Sequence, residues 1–261
     1  MVTKKYKQSF GVVAKIYKKY RGSYTAELYE KLLTLAKDGD KQLSVLDLGC
    51  GVGNSTEPLF RAAKKLKLHI TVTGIDPDIA MLKEAKASAK KNKLPVRYIE
   101  GAAEKLPLEK NQFDLIISGA AFHWFANKKA MKQLQRVLKD KGIYAIFWTK
   151  NIDTGIPTIG LDLYRKYKWQ GIPKEWRNPE NVMQFLKSAD FSNVGALKTP
   201  WTEKKTLTES IGLIKTNSSF AILSATDKKS FIREMTKEYK KALGDKKEVL
   251  KQEIHICYGI K

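Results

Sequence analysis

The stretch VLDLGCGVGNST, residues 45 to 56, constrains the fold more than any other, because three alternate glycines directly follow an apolar run ending in Asp47 and Leu48. A short apolar run such as LSVLDLG suits a strand buried on both faces, and glycine lets backbone turn sharply and come close to a ligand. TEPLFRAAKKLK then reads as a helix. The same order recurs downstream. HITVTGID reads as the next strand, DIAMLKEAKASAKKN as a helix, and VRYIEG as a third strand. FDLIISG reads as a fourth strand, KKAMKQLQRVLKDKG as a helix closing at Gly142, and IYAIFW as a fifth strand. Alternation of strand and helix over residues 43–148 predicts a parallel sheet with helices on both faces.

The flanks complete this plan. Val13, Ile16, Tyr17 and Tyr20 share helical spacing, and after a break at Gly22 and Ser23 the pattern resumes at Leu28, Leu32 and Leu35. Beyond residue 150, GLDLYRKYKWQG and NPENVMQFLKSAD read as helices, FSNVGALKTPWT as a strand, DKKSFIREMTKEYKKALG as a charged amphipathic helix, and EVLKQEIHICYGI as a closing strand. The expected fold is α/β: a Rossmann-like, doubly wound, mostly parallel seven-stranded sheet with helices on both faces and a helical cap. At 261 residues and 43% hydrophobic content, one large core accommodates the whole chain. The expected organisation is a single domain over 1–261, with a helical cover over 1–40, a cofactor-binding core over 41–150, and cap helices with C-terminal strands over 151–261.

Composition narrows the class. No apolar stretch approaches the ~20 residues of a membrane span, and the lysine-rich start has no apolar signal core behind it. Two cysteines, Cys50 and Cys257, provide neither a disulfide framework nor metal-ligand spacing. A soluble cytoplasmic protein without a metal is expected. The formal net charge of +22 could mark a nucleic-acid or anionic-membrane surface, yet the basic residues are 42 Lys and only 7 Arg, dispersed along the chain. Phosphate and base recognition favours the bidentate guanidinium, so a well-solvated lysine surface is the competing explanation. Either way the charge favours anionic small molecules near a site.

The glycines also exclude chemistries. Gly49, Gly51 and Gly53 are spaced G-x-G-x-G, one residue short of the dinucleotide fingerprint, and no Lys-Ser/Thr follows as a phosphate-gripping loop requires. Asp76 ends the second strand, 27 residues after Gly49, where a carboxylate can accept both ribose hydroxyls of an adenosine. In EGAAEKLPL, Ala103 is small enough to leave a flat slot with its backbone N–H turned to an adenine nitrogen, and Glu104 either borders that slot or is a solvated loop charge.

VLDLGCGVGNST, GIDPDIAML, IEGAAEKLP, FDLIISGAAFHWF and LQRVLKDKGIYAIFW occur in the order seen in class I S-adenosylmethionine-dependent methyltransferases, which this chain resembles. The similarity is nearest the branch of trans-aconitate and other small-molecule carboxyl O-methyltransferases, and VAKIYKKYRGSY and PWTEKKTLTESIGLIKTNSSF extend it to both flanks. The resemblance implies S-adenosylmethionine as cofactor, with S-adenosylhomocysteine as product. It implies that Gly49 and Gly51 line the methionine part, Asp47 anchors the loop, Asp76 binds the ribose, and Ala103 and Glu104 lie beside the adenine. It further implies that Ser118 sits near the sulfonium and that Arg21 approaches the cofactor carboxylate. Ala102 departs from the pattern, because many family members carry an acidic residue there that contacts the adenine amino group.

Methyl transfer from a sulfonium is an in-line displacement, so the protein chiefly aligns a nucleophile and excludes water. A carboxylate acceptor arrives ionised; a hydroxyl or amine needs a base, for which His123 in AFHWF is the candidate. His123 is either that base, a substrate contact or a packed structural group. Trp124 either walls the acceptor pocket or fills core, and Tyr17 either contacts ligand or packs its helix. Trp169, Trp176 and Trp201 either enclose a cap pocket or are core aromatics. After the fourth strand, SGAAFHWF lacks the Asn/Asp-Pro-Pro-aromatic tetrapeptide of DNA amino-group methyltransferases, which favours a small acceptor. The expected activity is O-methylation of a small, anionic molecule, with a carboxylate as one form. An RNA or tRNA methyltransferase on the same fold, and a cofactor-binding regulatory protein without transfer activity, are the alternatives.

Overall fold

In the computed structural model, which describes residues 13–37, 42–152, 163, 165–167 and 174–261, the glycine turn sits at the centre of a seven-stranded sheet. The strands are β1 (Gln42–Leu48), β2 (His69–Asp76), β3 (Val96–Glu100), β4 (Phe113–Gly119), β5 (Leu138–Asn151), β6 (Ser192–Lys205) and β7 (Glu248–Ile260), in the order β3-β2-β1-β4-β5-β7-β6. β1 to β5 pair in parallel, whereas β7 runs antiparallel between β5 and β6. The Rossmann-like expectation therefore holds. The strand order reverses between β1 and β4, and ligands of open α/β sheets bind beyond the carboxyl ends of strands at such a switch point.

Burial explains the strand sequences. In β1, Leu43 and Val45 pack into one apolar cluster while Leu46 and Leu48 pack into another, so alternate side chains are buried on opposite faces. Each such side chain contributes roughly 1.5–3 kcal/mol. One face is covered by α2 (Ala26–Ala36) and α3 (Thr56–Lys65), whose Leu28, Leu32, Leu33 and Leu59 are fully buried. The other is covered by α5 (Lys128–Val137) and α6 (Pro179–Ser188), through Met131, Leu134, Val182 and Leu186. The apolar stripe of α2 runs through Leu33 instead of the expected Leu35, which is 37% exposed.

The other described α-helices are α1 (Ala14–Tyr20), α4 (Ile79–Lys91), α7 (Leu207–Lys215), α8 (Ser218–Ala221) and α9 (Ala225–Leu243). Phe231, Met235 and Tyr239 of α9 join Ile211 and Ile214 of α7 in a separate small core. The charged amphipathic helix thus packs one stripe and leaves its charges outside.

One boundary is corrected. The helix expected to close at Gly142 ends at Val137, and β5 begins at Leu138. Tertiary pairing overrides helical periodicity here: Asn111 and Gln112, leading into β4, donate to the carbonyls of Arg136 and Val137, and Lys139 pairs with Asp114 at 2.9 Å. Most of GLDLYRKYKWQG, including Trp169, lies outside the described residues.

Candidate functional site

The site grows from the turn after β1. Gly49 and Cys50 donate their backbone N–H groups to Ile75 O at 2.8 and 3.0 Å, which ties the turn to the end of β2. Gly49 has φ of +74°, and a Cβ there would lie 2.5 Å from the Ala121 Cβ, so no side chain fits. Gly51 has φ of +52° and open space where a Cβ would stand, leaving its backbone bare toward the cleft. The Gly51 N–H donates to Asp76 Oδ2 at 2.8 Å, and the Asp78 N–H donates to Asp76 Oδ1 at 2.9 Å. Asp76 thereby joins strand end to glycine turn, with further acceptor lone pairs left over.

A cavity of about 660 Å3 opens beside it, walled by Gly49, Gly51, Asp76, Met81, Ala103, Glu104, Tyr17 and Trp124. The structure therefore brings together most of the residues assigned to a nucleoside. Ala103 is buried and small, and Glu104 accepts from Asn127 Nδ2 at 3.0 Å while Asn127 caps α5. Glu104 is thus a held wall residue, not a free loop charge. Ala102 stands in the same wall, so no acidic side chain occupies that position. Gly119, Ala120 and Ala121 also line it, a run that the sequence reading missed. Its signal was the small residues after β4, where Ala120 takes φ of +51° and donates to Phe147 O.

A second cavity, about 230 Å3, shares Tyr17, Gly49, Gly51, Gly119 and Ala120 with the first and adds Asp47 and Arg21. Arg21 Nη1 donates to Thr216 Oγ1 at 3.4 Å, and the guanidinium lies 5.5 Å from the Tyr17 ring. Asn54 ties the cover to the turn, donating to Arg21 O at 2.7 Å and accepting from Lys18 Nζ at 3.2 Å. Ala14, Val52 and Met81 form an apolar contact between α1, the turn and α4, with Tyr17 against it. The N-terminal helix therefore closes over the glycines.

Two expectations need correction. Asp47 does not tie the loop; Ile75 and Asp76 do, while Asp47 is 3% exposed and its Oδ2 has no hydrogen-bond partner. Burial, and then the charge of Asp76, push its carboxyl up to about 7, and burial pushes Asp76 up to about 6 against the two N–H bonds that it accepts. Ser118 does not face the cleft. It is fully buried and donates to Leu48 O at 3.1 Å while accepting from Tyr144 OH at 3.3 Å, because the inward position of β4 at this level meets β1 and β5. The cleft wall there is Gly119 and Ala120.

His123 occupies a short 3-10 turn, Phe122–Trp124, with its ring 4.8 Å from that of Trp124. Trp124 lines the larger cavity, whereas His123 is in neither wall as described. Burial, then the charges of Arg177 and Arg21, push its pKa down to about 4, so the imidazole is neutral at pH 7. Trp176 packs with Phe122 and Phe185, and Trp201 lies 6.0 Å from the Tyr24 ring in the wall of the smaller cavity. Among the described residues no helix is long and apolar enough to cross a membrane, and no group of three His, Cys, Asp or Glu could hold a metal ion.

Comparison with known proteins bears on this geometry. Residues 46–146 match a family described as a methyltransferase domain. The chain is 30% identical over 160 residues to CRG1 of Saccharomyces cerevisiae, named as a probable S-adenosylmethionine-dependent methyltransferase, covering 59% of this chain and 51% of that one. The chain thus spans about half the length of this relative. A solved type II methyltransferase candidate from Anaeromyxobacter dehalogenans superposes with a TM-score of 0.67 at 18% identity, covering 92% of this chain and 97% of that one. Phosphoethanolamine N-methyltransferase 2 of Haemonchus contortus, in complex with phosphomonomethylethanolamine and S-adenosylhomocysteine, superposes with a TM-score of 0.55 at 17% identity, covering 96% and 57% of the two chains.

Proposed function

We propose that this chain, whose residues 46–146 match a family described as a methyltransferase domain, is a cytoplasmic, single-domain class I S-adenosylmethionine-dependent enzyme that methylates a small molecule at oxygen. Its acceptor oxygen belongs to a carboxylate, as in the trans-aconitate branch that the sequence resembles. The observation that carries the reading is Asp76, a carboxylate at the tip of β2 that braces the glycine turn and borders a 660 Å3 cavity.

The residues fit S-adenosylmethionine. Asp76 has lone pairs for the ribose hydroxyls, Ala103 leaves a flat wall for the adenine with Glu104 at its edge, and Gly49 and Gly51 expose backbone to the methionine part. Asp47 presents a buried, unpaired carboxylate oxygen suited to an ammonium group, and Arg21 in the same cavity wall suits a carboxylate. When bound, the cofactor supplies a methyl group on a positively charged sulfur. The chain contributes alignment and exclusion of water, with Tyr17 and Trp124 as walls and α1 as cover. An ionised acceptor needs no proton removed, which agrees with a neutral His123 outside both walls.

Calorimetry with S-adenosylhomocysteine tests the reading: one site with a micromolar dissociation constant is expected. No heat with that ligand, together with saturable binding of a pyridine dinucleotide or ATP, would overturn it. His123→Ala tests the chemistry. Because its pKa lies near 4, removal is expected to leave turnover between pH 6 and 8 within roughly 3-fold and to remove no inflection near neutrality. A loss of about a hundredfold or more, accompanied by a lost inflection, would make His123 the base.

A further inference from the structure

The smaller cavity runs from the glycine turn to the ends of β5, β6 and β7, where Thr149, Trp201, Glu203, Lys205 and Gln252 form its far wall. The cofactor assignments above use none of these residues. Glu203 and Lys205 alternate along β6 and so share a face. The Lys205 side chain is only 10% exposed, and its Nζ lies 3.2 Å from Glu203 Oε2. Glu203 Oε1 is turned toward Gly22, where a Cβ would come within 3.3 Å of it. Gln252 donates through Nε2 to Asn151 Oδ1 at 2.8 Å, and its Oε1 is buried without a partner.

Removing an ion pair from water is costly, and replacement by apolar residues is often neutral or stabilising, so stability alone gives little reason for this wall. The wall combines an ammonium with spare donors and a carboxylate, and behind them lies the Gln252 amide, whose buried oxygen has no partner. Such a set recognises a ligand that is anionic at one point and a hydrogen-bond donor at the next.

We infer that this wall is the acceptor subsite, and that the acceptor is a small carboxylic acid bearing a hydroxyl beside its carboxylate; the inference rests on the function proposed above. Lys205 holds the carboxylate, Glu203 accepts from the hydroxyl, and the Gln252 amide turns on binding to bring its partnerless oxygen to the same hydroxyl. An amine in the hydroxyl's place would bring a second positive charge toward the donor's cationic sulfur, and the neutral hydroxyl avoids that repulsion. One carboxylate oxygen uses its own electron pair to form the O–CH3 bond as the S–CH3 pair returns to sulfur. A neutral ester and a neutral thioether result, and no proton moves. Gln252 and Glu203 therefore fix which acid binds without taking part in the transfer.

The test titrates the full chain, saturated with S-adenosylhomocysteine, with glycolate, lactate and malate, and with their deoxy counterparts acetate, propionate and succinate. Methyl transfer from labelled S-adenosylmethionine to the same acids is measured in parallel. The hydroxy acids are expected to bind and react about 10-fold better. Lys205→Met is expected to weaken them by roughly 10- to 30-fold, and Gln252→Leu to erase the preference over deoxy acids, with S-adenosylhomocysteine affinity within about 3-fold of the parent. If Lys205→Met no longer binds S-adenosylhomocysteine, the Lys205→Met/Glu203→Gln pair, which leaves no buried charge unmatched, decides by the same titration.

Normal S-adenosylhomocysteine binding with no preference for hydroxy acids, or with hydroxy-acid binding untouched by loss of Lys205, overturns the acceptor assignment alone. Absence of S-adenosylhomocysteine binding in the parent chain overturns the proposed function and this inference with it.

Discussion

Asp76→Ala is expected to abolish measurable binding of S-adenosylmethionine at micromolar concentrations while the protein remains folded. The carboxylate already accepts from Gly51 N and Asp78 N, at 2.8 and 2.9 Å. If it also accepts from two ribose hydroxyls, two charge-assisted bonds of about 1.5–3 kcal/mol each disappear with it. The sum corresponds to a weakening on the order of a hundred- to ten-thousandfold. Loss of the Gly51 contact loosens the turn as well, so the upper part of that range is favoured. Asp76→Asn separates the two contributions, since an amide oxygen still accepts from Gly51 but the charge is gone. Isothermal titration with S-adenosylhomocysteine reads the result directly, and an Asp76→Ala protein binding within threefold of the parent would refute the ribose assignment.

Asp47→Asn should act in opposite directions on stability and on binding. The buried carboxyl is raised to about 7 from an ordinary value near 3.8, so between those limits the folded state holds a proton that the unfolded chain releases. Stability from this group therefore falls as pH rises through that window, and its destabilising effect is complete above about pH 7. Asp76, raised to about 6, acts with the same sign. Both carboxyls therefore raise the melting temperature of the unliganded protein at pH 5.5 relative to pH 8. In Asp47→Asn that slope shrinks, and the unliganded protein at pH 8 gains a few kcal/mol.

Binding should show the reverse. A cofactor ammonium placed at Asp47 Oδ2 favours the charged carboxylate, so binding releases part of a proton near pH 6.5 and tightens toward pH 8. Asp47→Asn removes both the proton release and the tightening, and costs about 2–3 kcal/mol of affinity at pH 8. Calorimetry in buffers of different ionisation heat measures the proton directly. A binding heat independent of buffer at pH 6.5 in the parent protein would sink the pairing.

The wall proposed for the nucleoside could be placed from the sequence because it is built from strand ends. Gly49, Gly51, Asp76, Ala103 and Glu104 lie at the ends of β1, β2 and β3 or within four residues beyond them, so placing the strands placed the residues, and parallel pairing aligned their ends. Where side-chain direction mattered, sequence position was insufficient. Ser118 is one residue away from the exposed wall at Gly119, and strand alternation turns it inward to Leu48 O. His123 and Trp124 are adjacent in a tight turn, yet only Trp124 reaches the larger cavity. The periodicity of KKAMKQLQRVLKDKG continued past Val137, whereas pairing of β5 with β4 and β7 claimed Leu138 onward.

What the sequence by itself determined was the sheet, its parallel core and the glycine turn, since alternation of buried strands with amphipathic helices and the steric demands of Gly49 are local properties. What only the tertiary structure decided was the far wall of the smaller cavity and the state of Asp47. Thr149, Glu203, Lys205 and Gln252 come from three strands more than a hundred residues apart at their extremes, and they meet because β7 inserts antiparallel between β5 and β6. Likewise, an aspartate in a glycine-rich motif becomes a buried, unpaired carboxyl only when desolvation and the neighbouring Asp76 act on it together, and neither distance nor burial is written in a linear motif.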